Sequence, residues 1–600
     1  MSIRWESIRT FNNSQNNAFE ELICQLAREE PIINKIDFRR VAAPDGGVEA
    51  YCVLDDGTEY GWQAKYFFSM GDAQWKQLKE SFETALKTHP NLTKYYICIP
   101  LDRQDPRRKD QDWFMDKWNK KVAEWTQYAK GLGRNISIEY WGSSELTHRL
   151  SQENNAGRLH FWFSAEEFTI RWFSEQIEES TKNLGKRYTP ELNVELDISR
   201  NFDAISRNSG FYKVTHKYFH DFLSKLNKFT DRAIHYSGNN TSEQFKRWIS
   251  DVKDSFVPED RALEQFDINL LLSHIDNISK YLSDFEHEFI DNSEKKNDDL
   301  RYQVNNAWQA ISDFSDFIKG PMLKLANSPL MILSGEAGIG KSHLLADIAN
   351  HRIKSRIPCL LLLGQNFVSE ESPWTQILRN ILRVDGKENV LLGALNARAE
   401  AQGERLLFII DAINEGKGRY FWPDYIVGMI NQLSKYPWLG LVLSIRSSYE
   451  KLIVPKDFFD ENKITRIAHS GFGSVEYQAS KFFFSQYGIE QPGVPILHPE
   501  FSNPLFLKIF CEGLYRSGLN KIPKGYSGIS NIISFFINSI EAKLSRPSSF
   551  NYPENFKLIE KTINELIEYK LNNDLSFIPY EAAFDIAEKI IGRYSDRRRF

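Results

Sequence analysis

The chain has 600 residues, 42% of them hydrophobic and 26% charged, which is the balance of a soluble globular protein too long for one core. A net charge of −5 excludes a protein that meets nucleic acid through overall basicity and leaves only local patches. The five cysteines form no CxxC pair, no apolar run nears the ~18 residues of a membrane span, and the first residues lack a signal-peptide core, so a cytoplasmic protein with buried, reduced thiols is expected.

Residues 1–165 mix helical and strand patterns, and an α/β domain is expected there. Phe19, Leu22, Ile23 and Leu26 fall at helical spacing. Residues 48–54 and 60–68 read as strands around Asp55-Asp56-Gly57-Thr58, a hairpin signal. Residues 95–100 and 136–141 read as two further buried strands with a Trp-rich helical stretch between them. The hairpin carries Asp45-Gly46-Gly47-Val48-Glu49 on one side and Gly61-Trp62-Gln63-Ala64-Lys65-Tyr66 on the other. Carboxylates beside a lysine at a sheet edge suit metal-dependent phosphodiester hydrolysis, the acids holding Mg²⁺ and the lysine positioning the nucleophile. Register decides whether they meet. A two-residue turn would pair 49 with 64 and separate the groups, whereas a three-residue loop with Gly57 in the left-handed region pairs 49 with 63 and gathers Glu49, Gln63 and Lys65. The three-residue loop is expected. Glu20 and Glu21 on the first helix are further ligand candidates. Downstream, Arg103, Arg107, Arg108, Lys109, Lys117, Lys120 and Lys121 alternate with Trp113, Phe114 and Trp118. They form a candidate phosphate-contacting face, diluted by five aspartates, with a solvated surface as the alternative.

This half resembles the PD-(D/E)xK nuclease superfamily, in particular its Mrr-like branch, with Glu49 where aspartate is more usual and Gln63 in place of the second carboxylate. The resemblance covers about residues 15–100 and implies a restriction-endonuclease-like fold with Glu49, Gln63, Lys65 and Glu20 at a Mg²⁺-dependent site for DNA.

Residues 166–327 show helical runs and almost no strand pattern, and read as a helical connector without visible chemistry. A P-loop domain is expected over 328–470. There the apolar run Leu330-Met331-Ile332-Leu333 leads into Gly335-Glu336-Ala337-Gly338-Ile339-Gly340-Lys341-Ser342, a complete GxxxxGK[ST] loop with a helix after it. Its backbone N–H groups suit phosphates, Lys341 the outer phosphates, and the Ser342 hydroxyl Mg²⁺. About 70 residues on, Leu406-Leu407-Phe408-Ile409-Ile410-Asp411 is a strand ending in a carboxylate suited to the Mg²⁺ shell, and Glu415 is the candidate for polarising a water. Arg446, ending another strand, is placed to sense the γ-phosphate. Strand candidates alternating with helices imply a doubly wound parallel sheet. Residues 471–550 read as a small helical domain and 551–600 as the start of another, of winged-helix type.

Over about 325–600 these boxes, together with Asn503-Pro504-Leu505, resemble STAND-class NTPases, signalling ATPases related to AAA+ machines. The resemblance implies ATP with Mg²⁺, Pro504 against the adenine, and a switch that oligomerises on meeting its trigger. Asn414 replaces the usual second acid of the Walker B box, which places more weight on Glu415. A C-terminal sensor is expected in that class and none is seen, so the chain is either part of a longer protein or senses by other means. The combination resembles bacterial antiviral STAND proteins of AVAST type. It implies an ATP-controlled DNA endonuclease that is activated by a viral protein and assembles as a homo-oligomer away from membranes. The alternatives are a signalling scaffold whose nuclease-like domain binds DNA or a partner without cleaving, and a modification-dependent restriction nuclease.

Overall fold

The computed structural model describes residues 3–41, 46–103, 114–164, 167–237, 239–256, 263–291, 298–455, 464–491, 499–516, 518–522, 552–575 and 578–597, with scattered positions between 534 and 545. Two five-stranded sheets organise it. The first runs β1 (Lys35–Arg40), β2 (Ala50–Leu54), β3 (Glu59–Ala64), β4 (Leu92–Cys98) and β5 (Ser137–Trp141), side by side in chain order. β1 to β3 are antiparallel, and β3, β4 and β5 are parallel, because helical crossovers separate them. Side chains alternate across β4. Tyr96 and Cys98 join Trp62 under the helix Gln15–Glu29, through Phe19 and Leu22, while Tyr95 and Ile97 pack with Phe82 and Trp125 of the helices Asp72–Thr88 and Phe114–Gly131.

The second sheet is parallel throughout, in the order β10 (Thr465–Ala468), β6 (Leu330–Gly335), β9 (Leu439–Arg446), β8 (Leu406–Asp411), β7 (Cys359–Leu363). β6, β7 and β8 are buried along their whole length, which is why they read as unbroken apolar runs. β10 was not legible: four residues, Thr465, Arg466, Ile467 and Ala468, alternate between buried and exposed at the sheet edge.

The connector is helical among its described residues, as expected, but it is not a spacer without chemistry. Its helix Ile170–Leu184 lies on the second sheet, the Ser180 hydroxyl donating to the Leu361 carbonyl at 2.5 Å. The short helix Arg200–Ser206 packs beside β8, where Arg405 N–H bonds the Ser206 carbonyl at 3.0 Å. The remaining long helices, Ser209–Ser237, Asn239–Ser255, Ile268–Glu286 and Asp298–Lys319, form a bundle through Phe222, Phe229, Phe245, Phe285 and Phe314. Beyond the sheet, Glu476–Gln486 and Pro504–Arg516 share an aromatic cluster with Phe472, Phe501 and the connector residue Leu192, and Leu558–Asn572 pairs with Tyr580–Arg597.

The two sheets are joined through helices. Ala156–Phe163 lies against Glu388–Gln402 so closely that a Cβ on Gly157 would stand 2.4 Å from the Gly393 Cα, so both positions need glycine. Around this contact Gln25 donates to the Ala397 carbonyl at 3.0 Å and accepts from Trp162 Nε1 at 3.0 Å. Arg28 and Arg158 flank the buried Glu400 at 3.0 and 3.8 Å. All five cysteines are buried free thiols. No helix among the described residues is long and apolar enough to cross a membrane.

Candidate functional sites

The phosphate loop leaves β6 at Gly335 and enters the helix Lys341–Lys354. Gly340 caps that helix at φ +101°, a conformation that side chains resist, and lines the cavity together with Lys341 and Ser342. Lys341 folds back, donating to the Gly335 and Glu336 carbonyls at 2.7 and 2.9 Å, and burial pushes its ammonium down to about 8 against the pull of Asp411. β8 delivers Asp411 to the same end of the sheet. Its carboxyl is buried and pushed up by desolvation, with hydrogen bonds from Ser342 and Ser444 acting the other way. Ser444 donates to Asp411 Oδ1 at 2.5 Å, and Asp411 Oδ2 is buried with no partner. A buried, unpartnered carboxylate oxygen next to the Ser342 hydroxyl is the donor set a Mg²⁺ ion beside bound phosphates needs, so the residues fit that ion.

Glu415 and Arg446 also reach the cavity, but they are engaged with each other at 3.2 Å. The connector supplies a second clamp, Arg187, which contacts Glu415 at 3.0 and 3.2 Å and Gln365 at 2.5 Å. Asn414, in the place of the second acid, accepts the Arg446 N–H at 3.1 Å, at the N-cap of the helix Ser447–Ile453 that follows β9. Pro504 stands on the opposite wall, its ring 3.4 Å from where a Cβ on Gly340 would be. The cavity is lined besides by Thr189, Leu192, Asn193, His343, His469, Phe472 and Lys508. None of these was singled out from sequence. Residues 189–193 lie about 150 positions before the loop they face, a separation no local pattern encodes.

At the amino-terminal site the three-residue loop forms as expected. Ala50 pairs with Trp62 and Tyr51 with Gly61, Gly57 adopts φ +78° at the turn, and Glu49, just before the paired residues, bonds the Trp62 carbonyl through its N–H at 2.8 Å. Gln63 Nε2 donates to Glu49 Oε1 at 2.7 Å, and Lys65 Nζ lies 4.0 Å from the same oxygen. Gln63 is fully buried and its Oε1 has no partner, while Glu49 is 9% exposed. The Lys65 N–H bonds the Cys98 carbonyl at 2.9 Å, which fixes the lysine where β3 ends. A carboxylate and a free amide oxygen fit a Mg²⁺ ion that keeps several waters and takes further oxygens from a phosphate. Glu20 is half-buried on the first helix, one turn before Cys24, whose thiol lies 3.7 Å from the Glu49 carbonyl. Glu21 is committed elsewhere, paired with Arg40 at 2.5 Å and bonded by Gln25 at 2.9 Å. Asp45 lies outside the described residues.

The basic stretch changes character. Arg107, Arg108, Lys109 and Trp113 lie outside the described residues. Trp118 is 3% exposed and packs with Trp75 and Trp125, so it is core and not a face for bases. Arg103 stacks over Tyr140 and pairs with Glu145 at 3.5 Å, and Lys121 pairs with Glu124 at 2.7 Å. Helical spacing buries one side of Phe114–Gly131 and leaves Lys117, Lys120 and Lys121 on the outside.

No protein-family model matches the chain, and no curated protein does. Among solved structures, the Walker-type ATPase PABY2304 of Pyrococcus abyssi is similar at 15% identity and a TM-score of 0.28, covering 45% of this chain and 86% of its own. PCH-2 of C. elegans is similar at 15% identity and a TM-score of 0.19, covering 36% of this chain and 62% of its own. Likenesses this distant carry no argument. The P-loop NTPase fold rests on the parallel sheet, the loop between β6 and its helix, and Asp411 at the end of β8, which β9 separates from β6.

Proposed function

We propose that this chain is an ATP-controlled, Mg²⁺-dependent DNA endonuclease of antiviral defence, in which a STAND-type switch oligomerises on meeting a viral protein and so activates cleavage. The carrying observation is the first hairpin, which brings Gln63 to 2.7 Å and Lys65 to 4.0 Å from Glu49 Oε1 in a chain that also holds a complete phosphate loop. When bound, Mg²⁺ supplies charge for the phosphoryl oxygens and a water of lowered pKa. Glu49 and Gln63 hold that ion, Lys65 orients the attacking water, and Glu20 closes the site from the first helix. At the second site Lys341 and the loop N–H groups bind the triphosphate of ATP, Ser342 and Asp411 hold Mg²⁺, Arg446 senses the γ-phosphate, Pro504 lies against the adenine and Glu415 polarises the water. Cutting both strands of a duplex takes two active sites, so assembly of several chains is a physical means of control.

Plasmid cleavage with Mg²⁺ and ATP tests this on the full chain with the viral protein present. Activity lost in both Lys65→Ala and Lys341→Ala is the expected result, and activity that survives Lys65→Ala removes the nuclease assignment. One observation favours a second reading, a scaffold that binds DNA or a partner without cutting it. Among the described residues no group of three His, Cys, Asp or Glu side chains is placed to hold a metal ion. Forced assembly without cleavage, with DNA still bound, would select the scaffold.

A further inference from the structure

His469 follows the edge strand β10, and its N–H bonds the Ser334 carbonyl at 2.7 Å, which ties the residue to the phosphate-loop strand. Its side chain is 5% exposed and lines the nucleotide cavity. The Gly471 N–H donates to Nδ1 at 3.0 Å. A ring nitrogen that accepts carries no proton, so in the neutral imidazole the proton is on Nε2, and Nε2 is a donor. That Nε2 is buried and has no partner. Burial and the neighbouring Lys341 push the imidazole down to about 4, so the neutral form with this one tautomer is present at physiological pH. An unpaired buried donor is destabilising, and a cavity-lining one is relieved when a ligand brings an acceptor.

The lining beside that donor favours the base end of a nucleotide. Nε2 lies 3.7 Å from where a Cβ on Gly340 would be, next to the Pro504 ring. The adjoining walls are the apolar Ile339, Phe472, Phe483 and Leu505, which suit a flat ring and offer nothing to a phosphate. The phosphates already have the loop N–H groups and Lys341.

We propose that His469 donates a hydrogen bond from Nε2 to a ring nitrogen of the purine and is a specificity-determining residue of the nucleotide site. This rests on reading the cavity as the ATP site. A neutral donor at a fixed place rewards a base that accepts there and rejects one that carries N–H at the same atom, since two donors would then face each other.

Calorimetric titration of the full chain tests it, with ATP, inorganic tripolyphosphate, and 1-deaza-, 3-deaza- and 7-deaza-ATP. In the wild type one of the three deaza analogues binds about 10- to 100-fold more weakly than ATP, as the loss of a buried hydrogen bond implies. His469→Ala loses affinity for ATP by the same factor, shows no further loss with that analogue, and binds tripolyphosphate as the wild type does. His469→Gln, which keeps an N–H donor on a side chain of similar reach, recovers part of the affinity. Equal losses for ATP and tripolyphosphate, or wild-type affinity for all three analogues, overturn the proposal. The analogue series needs no mutant, so it stands even if His469→Ala fails to fold. Lys341→Ala separates the two levels of the argument. If it leaves ATP binding intact, the ATP site lies elsewhere and the proposal falls with it, whereas loss of binding there with His469→Ala unaffected refutes the His469 assignment alone.

Discussion

Removing the carboxylate of Glu400 is the sharpest perturbation of the contact between the two sheets. Glu400 is 2% exposed and sits between Arg28 at 3.0 Å and Arg158 at 3.8 Å. Burial pushes its carboxyl up, and the three arginines Arg28, Arg158 and Arg40 pull it back. In Glu400→Ala those cations face one another across a dry contact with their common counter-charge gone. Breaking a buried ion pair from one side costs about 3–5 kcal/mol. The lower end applies. Arg158 keeps Glu29 at 2.6 and 2.9 Å, Arg28 is 28% exposed and can turn to water, and the Arg28–Glu400 pair is too bent for a hydrogen bond, since neither atom finds a partner. About 3 kcal/mol raises the population in which the helices part by ~10²-fold. A single melting temperature is a poor gauge in a chain with several domains. Hydrogen exchange read peptide by peptide is the assay: protection should fall ~10²-fold over residues 15–29 and 156–163 and stay unchanged in 558–572. Exchange in 15–29 that matches the wild type would show that packing about Gly157 and Gly393 holds the contact and that the Glu400 charge does not.

Two further outcomes follow from the nucleotide site. Lys341 titrates near 8 before ligand binds, and phosphates favour its charged form, so ATP affinity should be flat below that pH and fall up to tenfold per unit above it. Calorimetry in two buffers of different ionisation enthalpy should then find about half a proton taken up per ATP at pH 8, and zero uptake would refute the shift. Arg187→Ala should release Glu415 from its contacts at 3.0 and 3.2 Å. The pair is partly exposed, so it is worth at most about 1 kcal/mol, and basal kcat for ATP hydrolysis should rise by up to about fivefold with little change in KM. A kcat that falls would make Arg187 part of the catalytic arrangement instead of a restraint on it.

What the sequence carries plainly is what short-range chemistry determines. Gly57 sets the hairpin loop, the loop sets the register of β2 on β3, and that register brings the Glu49 and Gln63 side chains together. Likewise Gly335 to Ser342 can be read because the loop, its strand and its helix are contiguous. The misses share one cause. Thr189, Asn193 and His469 enter the nucleotide cavity by folding back from distant positions, and β10 is too short and too near the surface to register as a strand. Trp118 misleads for a different reason: aromatic side chains interleaved with lysines give the same pattern whether they stack on bases or fill a core, and helical period sends this one inward.

On the proposed function, the arrangement also limits how ATP can act on the amino-terminal site. A ligand shifts an equilibrium only by binding one arrangement better than another. Two groups near the phosphates have partners to exchange: Lys341, now bonded to the loop carbonyls, and Glu415, now held by Arg187 and Arg446. The helix bearing Glu400 runs through Gly403 directly into β8, whose far end is Asp411. The connector bearing Arg187 begins at the helix Ile170–Leu184, shortly after the helix of Gly157. Both chain segments that leave the cavity therefore lead to the same Gly157–Gly393 contact, one from each side. At that contact the backbones meet at glycine, with no side chain between them.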